Sequence, residues 1–260
     1  RVGYYGNSLG DHFGVGHIFL AGEAPGLFYG YVTQGIVQKE DITENGIKYI
    51  KQDGSVGYYQ TVNKTTPVAG DVKYVDRNGD GVVDDNDRDI IGNPNPDFTY
   101  GFQTKVSWKS LSLSASFNGV QGRDILNVGN RYNNTPGTKS NNVTRKAFQN
   151  MWTDENPSNL YPKSTFVVQN MVMDRYVEDG SYLRCSDITL SYVLPAKWTN
   201  KIGIKNTSVY ASVKNAFVIT DYSGYDPEVN SFAFDGLRPG VDMNSYPTPR
   251  SFVFGLNLTF

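Results

Sequence analysis

One segment of the chain has the residue types and spacing of a calcium-binding loop. Residues 76–87 read D-R-N-G-D-G-V-V-D-D-N-D. Asp76, Asn78 and Asp80 occupy positions 1, 3 and 5 of an EF-hand-type loop, where alternate oxygen ligands wrap around a hard cation. Gly81 occupies position 6, where the chain must turn sharply. This spacing predicts a Ca2+ site.

The second half of the same loop completes the predicted ligand set, with one departure. Val82 at position 7 would contribute its carbonyl oxygen, Asp84 stands at position 9, and Asp87 stands at position 12. Position 12 is usually a bidentate Glu, and Asp87 is shorter. An Asx-rich turn without metal is the alternative. We favour Ca2+ in a structural role, because five carboxylates within twelve residues would otherwise repel one another.

The other chemically capable residues do not form a recognisable catalytic set. His12 and His17 are the two histidines, and no Cys or Glu stands near them at metal-ligand spacing. No Ser-His-Asp arrangement is apparent, so the chain is not expected to be an enzyme. Four aromatic residues in the segment 221–250 either stack on a ligand or, as we favour, pack that segment. They are Tyr222, Tyr225, Phe232 and Phe234.

Composition favours a protein rich in strands and turns. The chain has 260 residues, a net charge of -2, 13% aromatic residues and 27 Gly. No basic stripe stands out, which argues against binding to nucleic acid. No run of about 18 apolar residues is present, so no transmembrane helix is predicted. Cys185 is the single cysteine, so an internal disulfide is excluded.

Five segments alternate between apolar and small or polar residues, as strands with two different faces do. The segments are 98–108, 111–118, 182–194, 208–219 and 251–260. Only Lys109 and Ser110 separate the first two, which predicts a tight hairpin. The apolar run Ala216–Ile219 interrupts the fourth segment and predicts a β-bulge.

Short and long connections alternate between these strands, as they do in outer-membrane barrels. If the long connections face outside, the C-terminus is periplasmic and residues 1–97 are largely an extracellular loop that includes the calcium-type loop 76–87. Residues 98–260 then supply five membrane strands and their loops. Five strands cannot close a barrel, so other residues or another chain must complete it. The fold class predicted is all-β, a partial transmembrane antiparallel β-barrel with long extracellular loops.

Several stretches resemble the C-terminal barrel region of SusC/RagA-type TonB-dependent transporters. The most specific is G-D-V-K-Y-V-D-R-N-G-D-G-V-V-D-D-N-D-R-D-I-I-G-N-P-N-P-D-F-T-Y-G-F at 70–102. Further similarities are G-L-F-Y-G-Y at 26–31, G-S-Y-L-R at 180–184, V-K-N at 213–215, S-G-Y-D-P-E at 223–228 and Y-P-T-P-R-S-F-V-F-G-L-N-L-T-F at 246–260. The resemblance extends over nearly the whole chain.

The resemblance implies a 22-stranded barrel in the outer membrane of a Bacteroidota-type bacterium. Such a barrel holds a plug, is covered by a SusD-like surface lipoprotein, and imports oligosaccharides or peptides with energy from TonB, ExbB and ExbD. The 260 residues show no plug and no TonB box, so energy coupling is expected to depend on a missing N-terminal part. The terminal Phe260 resembles the signal read during barrel insertion.

Two other functions remain open from the sequence. A soluble calcium-binding β-sandwich used for adhesion or glycan binding is the main alternative, and a secreted hydrolase is the least favoured. The alternatives differ in one observable property. In a membrane barrel the apolar stripe of each strand faces lipid, whereas in a sandwich it packs against a second sheet.

Overall fold

The computed structural model describes residues 3–9, 14–135, 142–164, 171–199, 204 and 206–259, and these are built mainly from strands. In chain order the strands are β1 Gly3–Tyr5, β2 His17–Leu20, β3 Leu27–Gly30, β4 Thr33–Ile36, β5 Ile42–Thr43, β6 Gly46–Ile50, β7 Val56–Tyr59, β8 Thr61–Val62, β9 Val72–Tyr74, β10 Val82–Val83, β11 Asp89–Gly92, β12 Phe98–Trp108, β13 Leu111–Gln121, β14 Asp124–Asn127, β15 Val177–Asp179, β16 Tyr182–Val193, β17 Asn206–Thr220, β18 Val241–Asp242 and β19 Ser251–Thr259. The helices are α1 Val128–Asn134, α2 Arg145–Asn150 and α3 Ala196–Thr199, and 3₁₀ turns lie at Lys39–Asp41, Asp85–Asp87 and Asp174–Tyr176. Among the described residues, none of the helices is long and apolar enough to cross a membrane.

The five long strands form one antiparallel sheet in the order β12-β13-β16-β17-β19. Each corresponds to one of the five segments that alternate in sequence, and β12 has the predicted bounds. β13 continues three residues beyond the predicted end at 118, and β17 begins at 206 rather than 208. The prediction of five strands is confirmed. Consecutive strands of this sheet are neighbours, as in an up-and-down barrel wall.

Two local features of the sheet follow from single residues. Lys109 has a positive φ of 55° in the hairpin between β12 and β13, as a two-residue connection requires. A bulge lies in β17, where Asn215 and Ala216 together oppose Ser186, because Phe217 pairs with Cys185 and Lys214 with Asp187. The predicted bulge is therefore present, at the start of the apolar run. Asn215 also has a positive φ, of 52°.

The outer strands of this sheet have unused pairing edges. Within the described part of the chain, β12 pairs only with β13, and β19 pairs only with β17. Exposed edges leave rows of unpaired backbone N–H and C=O groups, which in lipid cost several kcal/mol each, as a rough figure. Further strands must therefore cover both edges in any membrane-embedded form.

The chain divides into two compact units. The sheet unit contains Pro96–Arg123, Asp179–Glu228 and Tyr246–Phe260, and holds the five long strands. The second unit, here called the loop unit, contains Arg1–Asn95, Asp124–Glu178 and Val229–Ser245. Segments far apart in sequence thus fold together in each unit.

The loop unit has a core of its own, so the described part of residues 1–97 is folded, and its extracellular position stays a prediction. These residues contain the short strands β1 to β11, several of which pair in small sheets. Buried aromatic side chains fill the centre of the unit, among them Phe28, Tyr49, Tyr59 and Tyr74. The sequence signal was weak because strands of two to five residues are too short to show alternation.

Candidate functional site

The start of the carboxylate loop is organised around the buried side chain of Asp76. Its two carboxylate oxygens accept hydrogen bonds from the backbone N–H of Gly79, at 2.6 Å, and of Gly81, at 2.9 Å. Both glycines have positive φ, 76° and 87°, which non-glycine residues adopt at a cost. Gly81 therefore serves the sharp turn that the motif predicts.

Asn78 and Asp80 lie on the exposed side of this turn. The Asn78 Oδ1 accepts from the N–H of Asp80 at 2.8 Å, and the Asp80 Oδ1 accepts from the N–H of Val82 at 2.9 Å. The Asn78 Nδ2 donates to the Asp80 Oδ2 at 2.9 Å. The two side chains thus continue a series of Asx turns.

Asp87, the predicted ligand at position 12, closes the loop through backbone contacts. Its carboxylate accepts from the N–H of Arg77 at 2.8 Å, of Asn78 at 3.2 Å and of Asp84 at 2.8 Å. Asp84 in turn accepts from the N–H of Asn86 at 2.8 Å and caps the 3₁₀ turn Asp85–Asp87. The buried Asp87 carboxylate therefore joins the two ends of the motif.

The electrostatics of the loop leave negative charge uncompensated. Burial raises the pKa of Asp76, and the carboxylates of Asp87 and Asp80 add to this, while the hydrogen bonds from Gly81 and Gly79 oppose it. No ion pair among the described residues includes a carboxylate of the predicted ligand set, and Arg77 pairs with Asp89 instead. A cation in the loop would relieve this repulsion.

The donor set fits a hard cation only if oxygens other than carboxylates take part. Within the described residues, no three His, Cys, Asp or Glu side chains are grouped so that they could hold a metal ion. The Asn78 side chain and the Val82 carbonyl would have to complete the set. All the predicted donors are oxygen atoms, which Ca2+ prefers.

The loop is held against the core of the loop unit. The Tyr49 hydroxyl donates to the carbonyl oxygen of Asp76 at 2.6 Å. Burial, followed by the charges of Asp76 and Asp87, raises the pKa of Tyr49 to about 12. The loop is therefore in direct contact with a buried side chain of the core.

One face of the five-stranded sheet is apolar and exposed. A single row of paired residues crosses all five strands and consists of Val106, Leu113, Leu190, Ala211 and Phe254. The exposed fractions of Val106, Leu113 and Phe254 are 65%, 47% and 78%. The next row on this face is Trp108, Leu111, Tyr192, Val209 and Leu256. A soluble β-sandwich would bury such rows against a second sheet.

The opposite face of the same sheet is polar. The row between the two apolar rows is Ser107, Ser112, Ser191, Tyr210 and Gly255. Further along this face, Ser212 and Thr189 each donate a hydroxyl hydrogen bond of 2.7 Å to the Asp187 carboxylate. One face for hydrocarbon and one for water is the pattern of a transmembrane barrel wall.

The four aromatic residues proposed as packing or stacking groups fall in both units. In the sheet unit, Tyr222 is buried, which fits packing and not ligand stacking, whereas Tyr225 is exposed. In the loop unit, Phe232 is partly buried beneath the Arg238 guanidinium at 3.9 Å, and Phe234 is exposed. These positions do not assign a ligand to any of the four.

The remaining sequence candidates add no site. His17 is buried, and its Nε2 lies 2.9 Å from the carbonyl oxygen of Pro239. Burial lowers its pKa, so the imidazole is neutral at physiological pH. His12 and Phe260 lie outside the described residues, and the role of Phe260 in insertion stays a prediction.

A buried polar cluster in the sheet unit was not predicted. Arg184 pairs with Asp226 at 2.6 Å and with Glu228 at 3.1 Å. Burial of Asp226 raises its pKa, but hydrogen bonds from Glu228 and Thr248, together with Arg184, outweigh burial and leave it below its usual value. The motifs G-S-Y-L-R and S-G-Y-D-P-E contain these residues, but nothing in either motif indicates that Arg184 pairs with Asp226 and Glu228.

Comparisons with known proteins agree with this architecture. No protein-family model matches the chain. A TonB-dependent receptor of Formosa agariphila is 35% identical over 201 residues, which are 74% of this chain and 20% of that protein. A second receptor of that species is 33% identical over 94% of this chain and 23% of its own length. The TonB-dependent receptor SusC of Bacteroides thetaiotaomicron is 34% identical over 72% of this chain and 17% of its own length.

Solved structures show the same fold. The RagAB peptide importer in its open-open state matches with a TM-score of 0.64 and 26% identity over 94% of this chain and 23% of that chain. A further structure of the RagAB peptide transporter matches with a TM-score of 0.66 over 99% of this chain and 24% of that chain. The chain spans about a fifth of the length of the curated relatives that it matches. It belongs to the SusC/RagA-type family of TonB-dependent transporters and has the all-β fold of part of an antiparallel transmembrane barrel.

Proposed function

We propose that this chain forms part of the wall of an outer-membrane barrel that actively imports oligosaccharides or peptides. The observation that carries the proposal is the exposed apolar face across five strands, backed by a polar face. Exposed hydrocarbon of this extent is stable in lipid and unstable in water. The related proteins are named as receptors and importers, which supports transport without covalent chemistry.

The partners follow from the same proposal. The free edges of β12 and β19 pair with further strands, which complete a barrel of the 22-stranded type. A SusD-like surface lipoprotein covers the barrel, and TonB, ExbB and ExbD energise it through residues outside these 260. Residues 1–97, with the rest of the loop unit, lie on the extracellular side of the outer membrane.

Cell fractionation tests the membrane assignment, and deletion tests transport. The protein should remain with the outer membrane until detergent is added, and it should co-purify with a SusD-like lipoprotein. Deletion of its gene should abolish growth on some members of a panel of defined oligosaccharides and peptides as sole nutrients. Recovery as a soluble monomer without detergent would overturn the barrel assignment and favour the calcium-binding sandwich.

We propose in addition that loop 76–87 binds Ca2+ as a structural ion. The support is the uncompensated charge of its carboxylates and the all-oxygen donor set. The ion would fix the loop unit through the contact between the Asp76 carbonyl and Tyr49. Because Ca2+ would bind the folded loop and not the unfolded chain, it would stabilise the loop unit by mass action.

Removing one loop carboxylate should weaken stabilisation by Ca2+, because affinity falls as the number of charged ligands decreases. Asp80→Asn keeps an amide oxygen that can accept from the Val82 N–H, but it removes one charge from the loop. In the detergent-solubilised full protein, Ca2+ at a hundred times its Kd should stabilise the wild-type loop unit by about 2.7 kcal/mol, relative to chelator. Thermal unfolding with Ca2+ and with chelator measures this difference.

The matched control is Asp154→Asn, which removes an exposed aspartate that pairs with Lys39. Exposed pairs of this kind contribute about 0–1 kcal/mol, so the response to Ca2+ should stay as in the wild type. A wild-type protein with the same melting temperature in Ca2+ and in chelator would disprove the metal site.

A further inference from the structure

The beginning of the 221–250 connection folds back onto the polar face of the sheet. The Asn118 Nδ2 on β13 donates to the Glu228 Oε1 at 3.0 Å, and the Tyr182 hydroxyl on β16 donates to the same oxygen at 2.6 Å. The Arg184 Nε lies 3.1 Å from the other carboxylate oxygen of Glu228. Glu228 is therefore bound by three side chains from two strands.

These three partners belong to the polar face, as the strand register shows. Phe117 lies on the apolar face, where its ring stacks on Phe102 with centroids 4.5 Å apart. Its neighbour Asn118 therefore points to the other face, and Asn118 pairs with Arg184 across the strands. Tyr182 stands two residues before Arg184 and shares that face. The connection is thus attached on the side that faces the lumen of the proposed barrel.

Asp226 ties both ends of the connection to this point. One carboxylate oxygen is 2.6 Å from the Arg184 Nη2 and accepts from the Glu228 N–H at 2.9 Å. The other oxygen accepts from the N–H of Thr248, at 3.1 Å, just before β19. Arg184 and Asp226 are both buried, so their charges need each other. Neither end of the connection can leave the sheet without exposing or unpairing one of them.

We propose that Arg184, Asp226 and Glu228 form a clasp that holds residues 222–228 over the polar face and so narrows the transport path at the end of the strands that bears the long connections. This inference rests on the proposed function, since only a barrel has a lumen to narrow. The three residues are positioning residues, which act by holding the segment in place. The exposed side chain of Tyr225 is presented from this segment.

The clasp predicts size-dependent access to the polar face. A cysteine introduced at Ser114, on the polar face of β13, would report access in the full protein within outer-membrane vesicles. With Glu228→Gln, a bulky polyethylene-glycol maleimide should label this cysteine about tenfold faster. Loss of a hydrogen bond to a charged group shifts the equilibrium between the attached and the detached segment by about tenfold or more. Small N-ethylmaleimide should react at an unchanged rate. The native Cys185 is buried, and the protein without the introduced cysteine measures the background labelling of Cys185.

Two further variants keep the test decisive. Tyr182→Phe removes a single hydroxyl from the clasp and replaces Glu228→Gln in the test if that variant does not assemble. It should accelerate labelling by the bulky reagent less than Glu228→Gln would. Asp221→Asn removes an exposed carboxylate from the same connection and should leave both rates as in the parent protein. Equal rates for the bulky reagent in all variants, or equal acceleration of both reagents, would overturn the clasp as a narrowing device.

Failure of the clasp can be told apart from failure of the proposed function. A nitroxide attached at position 225 in detergent-purified protein reports the mobility of the segment without a membrane. If the protein is absent from the outer membrane but the label becomes mobile in Glu228→Gln, Glu228 does hold the segment 222–228 on the sheet. The barrel, and with it a lumen that the segment could narrow, is then disproved. If the protein is in the membrane and the label is equally mobile in both proteins, the clasp is wrong and the barrel assignment stands.

Discussion

Replacement of Leu113 by arginine is expected to prevent stable accumulation of the protein in the outer membrane. Leu113 lies in the apolar row described above, paired with Val106 on one side and Leu190 on the other, and its side chain is exposed. An arginine on the lipid face costs up to about 2–4 kcal/mol, the value at the bilayer midplane, and the cost falls toward the interfaces. Outer-membrane fractionation and the heat-dependent mobility of folded barrels in detergent gels measure the outcome.

Ser114→Arg provides the matched control at nearly the same depth. Ser114 is the next residue of β13 and lies in the polar row with Lys105, Thr189 and Ser212. An arginine there meets water and hydroxyl groups, so the amount of assembled barrel should change little. Equal tolerance of both variants would mean that the apolar rows do not face lipid, because an exposed leucine in a water-soluble protein accepts arginine within about 0.5 kcal/mol.

The sequence predicts the sheet well because its information is local. In β12 a period of two persists for eleven residues, and the single lysine-serine pair after Trp108 is enough to define the turn. Each membrane strand must have apolar side chains on one face and polar side chains on the other. Consecutive residues therefore alternate between the two types, and the alternation is visible in the sequence. The bulge near Ala216 was visible for the same reason, as a break in that pattern.

The loop unit and the clasp could not be predicted in this way, because their contacts join distant residues. Arg184 and Asp226 are separated by 42 positions. The calcium-type loop is an intermediate case. Its spacing predicts a turn around Asp76, and that turn is present. The same spacing cannot say that the Asp87 carboxylate accepts three backbone hydrogen bonds, since this depends on how the ends of the loop meet.

Phe28 shows how the loop unit is assembled from such distant contacts. Its fully buried ring lies 5.3 Å from the His17 ring on the neighbouring strand. Two glycines make room for it, since a Cβ at Gly92 or at Gly240 would lie 3.0 or 3.1 Å from the phenyl ring. Gly240 also has a positive φ of 69°. Phe28 therefore packs against three segments of the unit.

Phe28→Ala should destabilise the loop unit by about 3–5 kcal/mol, because the segments around the ring cannot collapse fully into the cavity that it leaves. The sheet unit should still assemble, since the contacts of Phe28 described above all lie within the loop unit. Limited proteolysis of intact cells should then cleave the loop unit rapidly while the barrel stays in the outer membrane.

Phe148→Ala in α2 is the control, because its side chain is 63% exposed and its loss should change stability by no more than about 0.5 kcal/mol. If both variants resist protease equally, Phe28 does not hold the unit together. If Phe28→Ala also removes the barrel from the membrane, the two units do not fold independently. The loop unit would then be required for assembly of the barrel wall.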